Sequence, residues 1–303
     1  MDVRCAKAGS NLAVRSNDME IKKVGVVGCG VMGSGIAQVC GKSGYEVVVM
    51  EKDPAFLKKG LLAIETFLKK GIDKGKVTET QKTSILERIN GTTDYKEFHD
   101  CDLVIEAVVE DINLKKDIFE SLDQVCSGHA IFASNTSSLS IIDLAKATRR
   151  EEKFLGLHFF NPVPLMRLLE IVISLVTSAE TLEIGKAFGE SLGKTVIVSK
   201  DTPGFIVNYL QLPFRLNAIR MLEAGMATKE DIDAAATLGL GHPMGPFALQ
   251  DLVGLDVTYA AALSIYEATR DPVFYPPVLM QKMIAAGLLG RKTGKGFYEY
   301  KKK

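Results

Sequence analysis

VGVVGCGVMGSGIAQV, residues 24–39, decides the fold. It begins as a short valine-rich run, meets glycine at 28, 30 and 33, and continues with helical spacing. In G-x-G-x-x-G the first glycine permits a tight turn and the second lets backbone approach a pyrophosphate. The third allows helix to pack close on strand. The helix that follows offers free N–H groups and the positive end of its dipole to phosphate. The glycines alone are a weak signal, and a glycine-rich turn in an unliganded α/β fold carries the same pattern. Context strengthens it: a strand before, a helix after, then YEVVVMEKD as a second strand ending at Glu51. Glu51 stands near the spacing of about 20 residues expected for a ribose-binding acid. A carboxylate there accepts from a 2′-hydroxyl and repels a 2′-phosphate. The pattern therefore predicts NAD rather than NADP, although Lys52 is adjacent.

Outward from this unit, strands alternate with helices. Helical spacing covers residues 54–70, and a polar helical stretch runs to Ile89. CDLVIEAVVE reads as a third strand, LKKDIFESLDQV as an amphipathic helix and HAIFASNT as another strand. KFLGLHFF, LLEIVI and TVIVSKD complete the series, with a helix over about 179–192. Near-continuous apolar strands with helical crossovers predict a Rossmann-type, doubly wound, mostly parallel α/β sheet. The character changes at DTPGFIVN, where Thr202 and Pro203 read as helix N-cap and first helical residue. Beyond it, to about Ala286, the pattern is helical. The predicted organisation is an extension over 1–20, a nucleotide-binding domain over 21–200 and an all-α C-terminal domain over 201–303.

Composition narrows the class. The 303 residues carry 37 Lys+Arg and 37 Asp+Glu, so no charge excess points to nucleic acid or an anionic membrane. No unbroken apolar run is long enough to span a bilayer. Five cysteines (Cys5, Cys29, Cys40, Cys101, Cys126) form no CxxC pair, so buried free thiols are expected rather than disulfides or a metal site. MDVRCAKAGSNLAVRSND, at the start, lacks a secretory apolar core. Arg4, Lys7 and Arg15 suit a mitochondrial presequence, while Asp2 and Asp18 oppose it. The expected compartment is the cytoplasm, with the mitochondrial matrix as the alternative.

FLGLHFFNPVPLMRLLEIV, residues 154–172, is apolar yet carries His158, Asn161, Arg167 and Glu170. A buried carboxylate without a partner is costly, so one is expected. A His158–Glu170 pair satisfies both groups in a core. It also suits catalysis, because a carboxylate fixes the imidazole tautomer and supports the protonated ring. Spacing leaves the two roles evenly balanced. SNTSSLSI, after the strand HAIFA, tips the balance towards catalysis, because ligands of open α/β sheets bind at the carboxyl ends of strands. Ser138 or Ser140 suits a helix cap there, and Asn208 is a polar residue in an apolar helix start. Arg167 reads as a solvated charge.

These stretches, with DLVIEAVVED, KDTPGFIVN, GLGHPMGPFAL and LLGRKTGKGFYEY, resemble the short-chain 3-hydroxyacyl-CoA dehydrogenase family from about Lys22 to Tyr300, particularly its bacterial 3-hydroxybutyryl-CoA members. The resemblance implies an NAD-dependent interconversion of (S)-3-hydroxyacyl-CoA and 3-ketoacyl-CoA. In it His158 is the general base, Glu170 supports it, and Ser137 and Asn208 bind the substrate oxygen. It implies a cofactor site of Gly28, Cys29, Gly30, Val31, Met32, Gly33 and Glu51, completed by Glu110, Lys115, Asn135, Ser137, Asn161 and Lys292. Lys69, Lys70, Lys74 and Lys76 are implied near the CoA phosphates, and the helical half as a homodimer contact. Two positions depart from the family pattern. Tyr209 stands where a basic residue is common, with Gln211 close by, and Ala248 where a glutamate is common. Competing readings are a dehydrogenase of a free hydroxy or sugar acid, and a non-catalytic NAD-binding protein.

Overall fold

The computed structural model describes residues 20–301; the expected N-terminal extension and presequence, with Cys5, lie outside the described residues. The first part alternates strand and helix: β1 Lys23–Val27, α1 Val31–Lys42, β2 Glu46–Met50, α2 Pro54–Asp73, α3 Glu79–Glu87 and β3 Ile89–Thr92. It continues with β4 Leu103–Glu106, α4 Ile112–Val125, β5 Ile131–Ser134, α5 Ile141–Ala145, β6 Phe154–Phe159, β7 Leu168–Ile173, α6 Ala179–Ser191 and β8 Thr195–Lys200. Beyond Lys200 the chain is helical: α7 Val207–Glu223, α8 Lys229–Ala234, α9 Pro246–Val253, α10 Leu255–Thr269 and α11 Val278–Ala285.

The eight strands form one sheet in the order β3-β2-β1-β4-β5-β6-β7-β8. All neighbours are parallel except β6 and β7, which run antiparallel with His158 opposite Glu170. An eight-residue link between β6 and β7 is too short for a helical crossover, so the chain turns back on itself. Strand order reverses between β1 and β4, and the carboxyl ends there open a crevice of the type that holds ligands. One face of the sheet packs Val24, Val26, Ile36, Ile64, Ile105 and Leu157 into a core. The other packs Val48, Phe98, Phe119, Phe132 and Phe154. A third cluster, with Leu216, Ile219, Phe247, Ile265 and Phe274, holds the helical part together. Its C-terminal stretch is pinned by buried Asp251, which accepts from Phe297 N, Tyr298 N and the Tyr300 hydroxyl.

The architecture matches the sequence prediction, with two corrections. INGT forms the edge strand β3 against β2, where the helical stretch was expected to run on to Ile89. Its short polar run carries no hydrophobic alternation, so only pairing defines it. Thr202 and Pro203 do not begin α7. Gly204 (φ +81°) and Phe205 (φ +51°) take left-handed conformations and delay the helix to Val207. The resulting turn has a use in the site described below.

Gly28 has φ +97°, and a Cβ there would meet the Ala107 carbonyl. Left-handed backbone costs a non-glycine residue roughly 1–2 kcal/mol before any clash. Gly28→Ala is therefore expected to lower the melting temperature by several degrees and to abolish NADH binding, measured by thermal denaturation and by quenching of protein fluorescence.

Candidate active site

The crevice at the β1–β4 switch point is built first from backbone. Gly28 N–H donates to Met50 O at 2.8 Å, which closes the loop onto the end of β2. A Cβ on Gly33 would collide with the Gly28 carbonyl, so only glycine lets α1 start this close to β1. A Cβ on Gly30 would meet nothing within 4 Å: this glycine faces open space where a ligand can approach the chain. No side chain caps α1, so its first N–H groups are left for an anion. Glu51 lies just past β2, its Oε2 accepting from Cys29 N at 3.0 Å and its Oε1 from Lys52 N at 3.0 Å. That bond ties the carboxylate to the glycine loop. The Cys29 thiol is pushed up to about 11 by burial and by the Glu51 charge, so it stays protonated at neutral pH.

The second wall follows β4. Glu106 is fully buried at the strand's end. Lys115, also fully buried, reaches both its oxygens at 2.9 Å, and Ser134 Oγ and Val108 N complete its shell. Lys115 lies 3.2 Å from Glu110 as well. Glu110 in turn accepts from Thr136 Oγ1 and from Ser137 N at 3.0 Å. Burial raises the Glu106 carboxyl above its ordinary range, and Lys115 with its hydrogen bonds offsets only part of that rise. At Glu110 burial also acts upward, yet the Lys115 charge and the Thr136 and Ser137 donors outweigh it and leave the carboxyl below its ordinary value. The Ser/Thr loop is thus fastened to the strand end by an ion chain. Ser140, at the end of that loop, caps α5 by accepting from Asp143 N.

The third wall is β6, β7 and the start of α7. His158 Nδ1 lies 2.7 Å from Glu170 Oε2. Glu170 Oε1 accepts from Ile206 N at 2.8 Å and Val207 N at 3.0 Å. The late start of α7 thereby explains itself: a carboxylate from the sheet takes the place of a local cap. Phe160 and Phe205 pack against the imidazole at centroid distances of 4.4 and 5.7 Å. With the carboxylate accepting at Nδ1, that nitrogen carries the proton and Nε2 is left as the basic atom. Asn208, one residue into α7, donates through Nδ2 to Ser137 O at 3.2 Å. Asn135 Oδ1 accepts from Phe159 N at 3.0 Å, joining the end of β5 to the end of β6. One hydrogen-bonded arrangement therefore gathers Ser137, Asn135 and Asn208 beside the His158–Glu170 pair.

Residues 23–202 match the family described as 3-hydroxyacyl-CoA dehydrogenase, NAD binding domain, and residues 204–300 match its C-terminal domain. The chain is 47% identical to a 3-hydroxybutyryl-CoA dehydrogenase of Mycobacterium tuberculosis, over 92% of this chain and 99% of that protein. It is 45% identical to the mitochondrial hydroxyacyl-coenzyme A dehydrogenase of Sus scrofa, over 99% and 98% of the two chains. The crystal structure of (S)-3-hydroxybutyryl-CoA dehydrogenase from Ralstonia eutropha superposes with a TM-score of 0.91 at 44% identity, covering 93% of this chain and all of that one. The chain belongs to the 3-hydroxyacyl-CoA dehydrogenase family.

Other residues expected from the 3-hydroxyacyl-CoA dehydrogenase pattern lie around this arrangement. Lys292 pairs with Asp256 at 2.5 Å and makes no hydrogen bond to the crevice among the described residues. Lys115 is enclosed between carboxylates rather than open to a ligand. Lys69, Lys70, Lys74 and Lys76 are exposed around the end of α2 and form no ion pair among the described residues. Asn161 is exposed just past β6, and Arg167 is exposed as expected. Glu106, Thr136 and Phe205 escaped the sequence reading. Glu106 had a visible signal, a carboxylate interrupting the apolar run DLVIEAVV. Phe205 had none, because its conformation is imposed from outside the turn.

Because Glu110 titrates below its ordinary value of 4.5 in the folded protein, the stability it adds is present above that pH. It is lost as pH falls through the lower folded value. Glu110→Gln is expected to melt below wild type at neutral pH, with the gap narrowing as pH drops under 4.5. A difference curve of melting temperature against pH checks this. It separates Glu110 from Glu106, whose shift has the opposite sign.

Proposed function

We propose that this protein interconverts (S)-3-hydroxyacyl-CoA, in particular 3-hydroxybutyryl-CoA, and the corresponding 3-ketoacyl-CoA, with His158 as the general base and acid. The observation that carries the proposal is the His158–Glu170–α7 arrangement beside Ser137 and Asn208. NAD, when bound in the glycine-loop crevice, would supply the acceptor for the hydride that leaves C3 of the alcohol. A secondary hydroxyl is too weak an acid to release its proton unaided near neutral pH. Nε2 of His158 takes that proton, and Glu170 supports the imidazolium that forms. The buried surroundings strengthen this electrostatic support relative to water. Ser137 Oγ, held only at 3.5 Å by Glu110, is the uncommitted donor for the substrate oxygen. Asn208 holds the Ser137 peptide and lies beside the same point. In the reverse direction the protonated histidine returns its proton to the developing alkoxide.

The cofactor assignment is supported by the fit of the cradle: an open Gly30, an uncapped α1 and Glu51 at the strand end. Those groups would hold the pyrophosphate and adenosine ribose, with Glu110, Asn135, Ser137 and Asn161 towards the nicotinamide half. Lys115 acts through Glu110 in this proposal. The basic turn at Lys70 and Lys74 is assigned to CoA phosphates on charge alone. We divide the chain functionally into a nucleotide-binding unit over 21–200 and a substrate-binding, helical unit over 201–303. A homodimer contact belongs to the latter, which leaves Leu210, Met226, Leu238 and Leu240 exposed. Relatives include bacterial and mitochondrial proteins, and free buried cysteines suit the cytoplasm and the mitochondrial matrix equally.

NADH oxidation with acetoacetyl-CoA tests the activity, and parallel assays with free 3-keto acids exclude the free-acid alternative. A folded protein inert towards every 3-ketoacyl-CoA would end the proposal. General acid–base assistance contributes about 100- to 10,000-fold. His158→Ala should lose rate within that range while NADH still binds, and equal activity in the variant would remove His158 from the mechanism.

A further inference from the structure

Gln211 stands near the start of α7, close to the position where Tyr209 departs from the family pattern, and the function above leaves it without a role. It is half-buried and lies three residues past Asn208, a spacing that makes the two side chains neighbours on one helix face. Its Nε2 donates to Asn208 Oδ1 at 3.3 Å, and Asn208 Nδ2 donates to Ser137 O at 3.2 Å. The two bonds form a chain from α7 to the Ser/Thr loop, and the chain has a fixed direction. Ser137 O is a carbonyl oxygen and can only accept, so Asn208 must turn its NH2 group towards it. That leaves Oδ1 of Asn208 on the side of Gln211, where a donor is needed. One acceptor on the loop thus dictates the orientation of both amides.

An asparagine amide is nearly symmetrical in shape, and turning it over exchanges its oxygen for its nitrogen. Turned over, Asn208 would set its oxygen against the Ser137 carbonyl and its NH2 group against that of Gln211. With Gln211 in place both contacts are repulsive. With an apolar residue at 211 only the Ser137 contact would choose between the two orientations. Pro213 lies inside α7 and has no N–H, so the Tyr209 carbonyl, four residues earlier, lacks its helical partner. The turn that carries both amides is therefore short of one rung of the helical ladder, and side-chain bonds carry more of its restraint. Nδ2 of Asn208 has two N–H groups. One goes to Ser137 O, and the other has no acceptor among the described residues and is left for the substrate oxygen. An amide that accepts at its oxygen is also the better donor at its nitrogen, because bonds in a chain polarise one another.

We propose that Gln211 is a positioning residue for the dehydrogenase reaction: it holds the Asn208 amide so that N–H, and not C=O, meets the substrate oxygen. The proposal rests on the function above, in which Asn208 lies at that oxygen. Gln211 itself touches no reacting atom. Its effect belongs in kcat, because negative charge develops on the substrate oxygen as the hydride moves, and a turned-over amide would present its own oxygen to that charge.

The test is a mutant cycle. NADH oxidation with acetoacetyl-CoA gives kcat and KM for Gln211→Met, Gln211→Lys and Gln211→Glu, each alone and combined with Asn208→Ala. Methionine keeps the length and removes the donor, lysine keeps a donor, and an ionised glutamate offers only an acceptor, which favours the turned-over amide. Loss of one orienting bond is expected to lower kcat about two- to tenfold in Gln211→Met, with KM for NADH unchanged. Gln211→Glu should lose about tenfold or more, and Gln211→Lys should stay within about twofold of wild type. With Asn208→Ala in place, the three variants should share one kcat. Wild-type kcat in both Gln211→Met and Gln211→Glu overturns the proposal. So do losses of the same size with and without Asn208, which would make Gln211 a plain structural contact. Solvent exchange of the Asn208 side-chain amide, followed by NMR on protein with isotopically labelled asparagine, reads the orienting bond without turnover. It should be slower in wild type and Gln211→Lys than in Gln211→Met. If wild type turns over no 3-ketoacyl-CoA, or Asn208→Ala keeps full kcat, the function proposed for Asn208 fails. Slower exchange in wild type than in Gln211→Met would then still support the orienting bond, and equal exchange would overturn it.

Discussion

The structure depends on how one carboxylate is satisfied. Glu170 lies in the middle of an apolar strand with no exposure to water. An ion in that position is tolerated only with several hydrogen bonds. Its three donors come from two different places: His158 across the antiparallel pair, and the Ile206 and Val207 amides at the start of α7. The requirement fixes the β6–β7 register, since a one-residue slip would turn His158 to the other face. It also fixes where the helical half of the chain begins, which the left-handed pair Gly204–Phe205 makes possible. A single carboxylate thus sets the register of the antiparallel pair, the entry of α7 and the orientation of the imidazole.

Glu106 repeats this logic at the neighbouring strand ends. It is buried at the end of β4 and is answered by Lys115 from the helix that follows, not from the sheet. Lys115 then passes the constraint to Glu110 and so to the loop that carries Thr136 and Ser137. Ser137 is in turn held from the opposite side by Asn208, which stands two residues past Ile206, one of the Glu170 donors. The two buried carboxylates therefore meet at one serine through independent routes. Apolar replacements of similar shape are often as stable as buried ion pairs. What the charges add is position, because each has few geometries in which its partners are complete.

The sheet was legible in the sequence because parallel strands covered on both faces are written as continuous apolar runs, and VGVV, EVVVM and DLVIE are all of this kind. The glycine loop was legible because steric exclusion at Gly28 and Gly33 leaves no other residue type. The pairing of His158 with Glu170 was legible only as a possibility, since an apolar context demands a partner without naming it. The edge strand INGT and the start of α7 were not legible. The first is a strand only through its neighbour, and the second is delayed by a carboxylate 36 residues earlier in the chain. The role implied for Lys115 came from motif position, and motif position does not show that its ammonium is enclosed by Glu106 and Glu110.

The first turn of α7 shows what such a constraint does. Its Ile206 and Val207 amides answer Glu170, and Asn208 in the same turn holds the Ser137 peptide. The Glu170 carboxylate is thus satisfied from within the chain, which keeps the imidazole of His158 oriented. One turn of helix thereby ties the sheet, the Ser/Thr loop and the helical half of the chain to one geometry, and none of the three can shift without leaving a buried polar group unpaired.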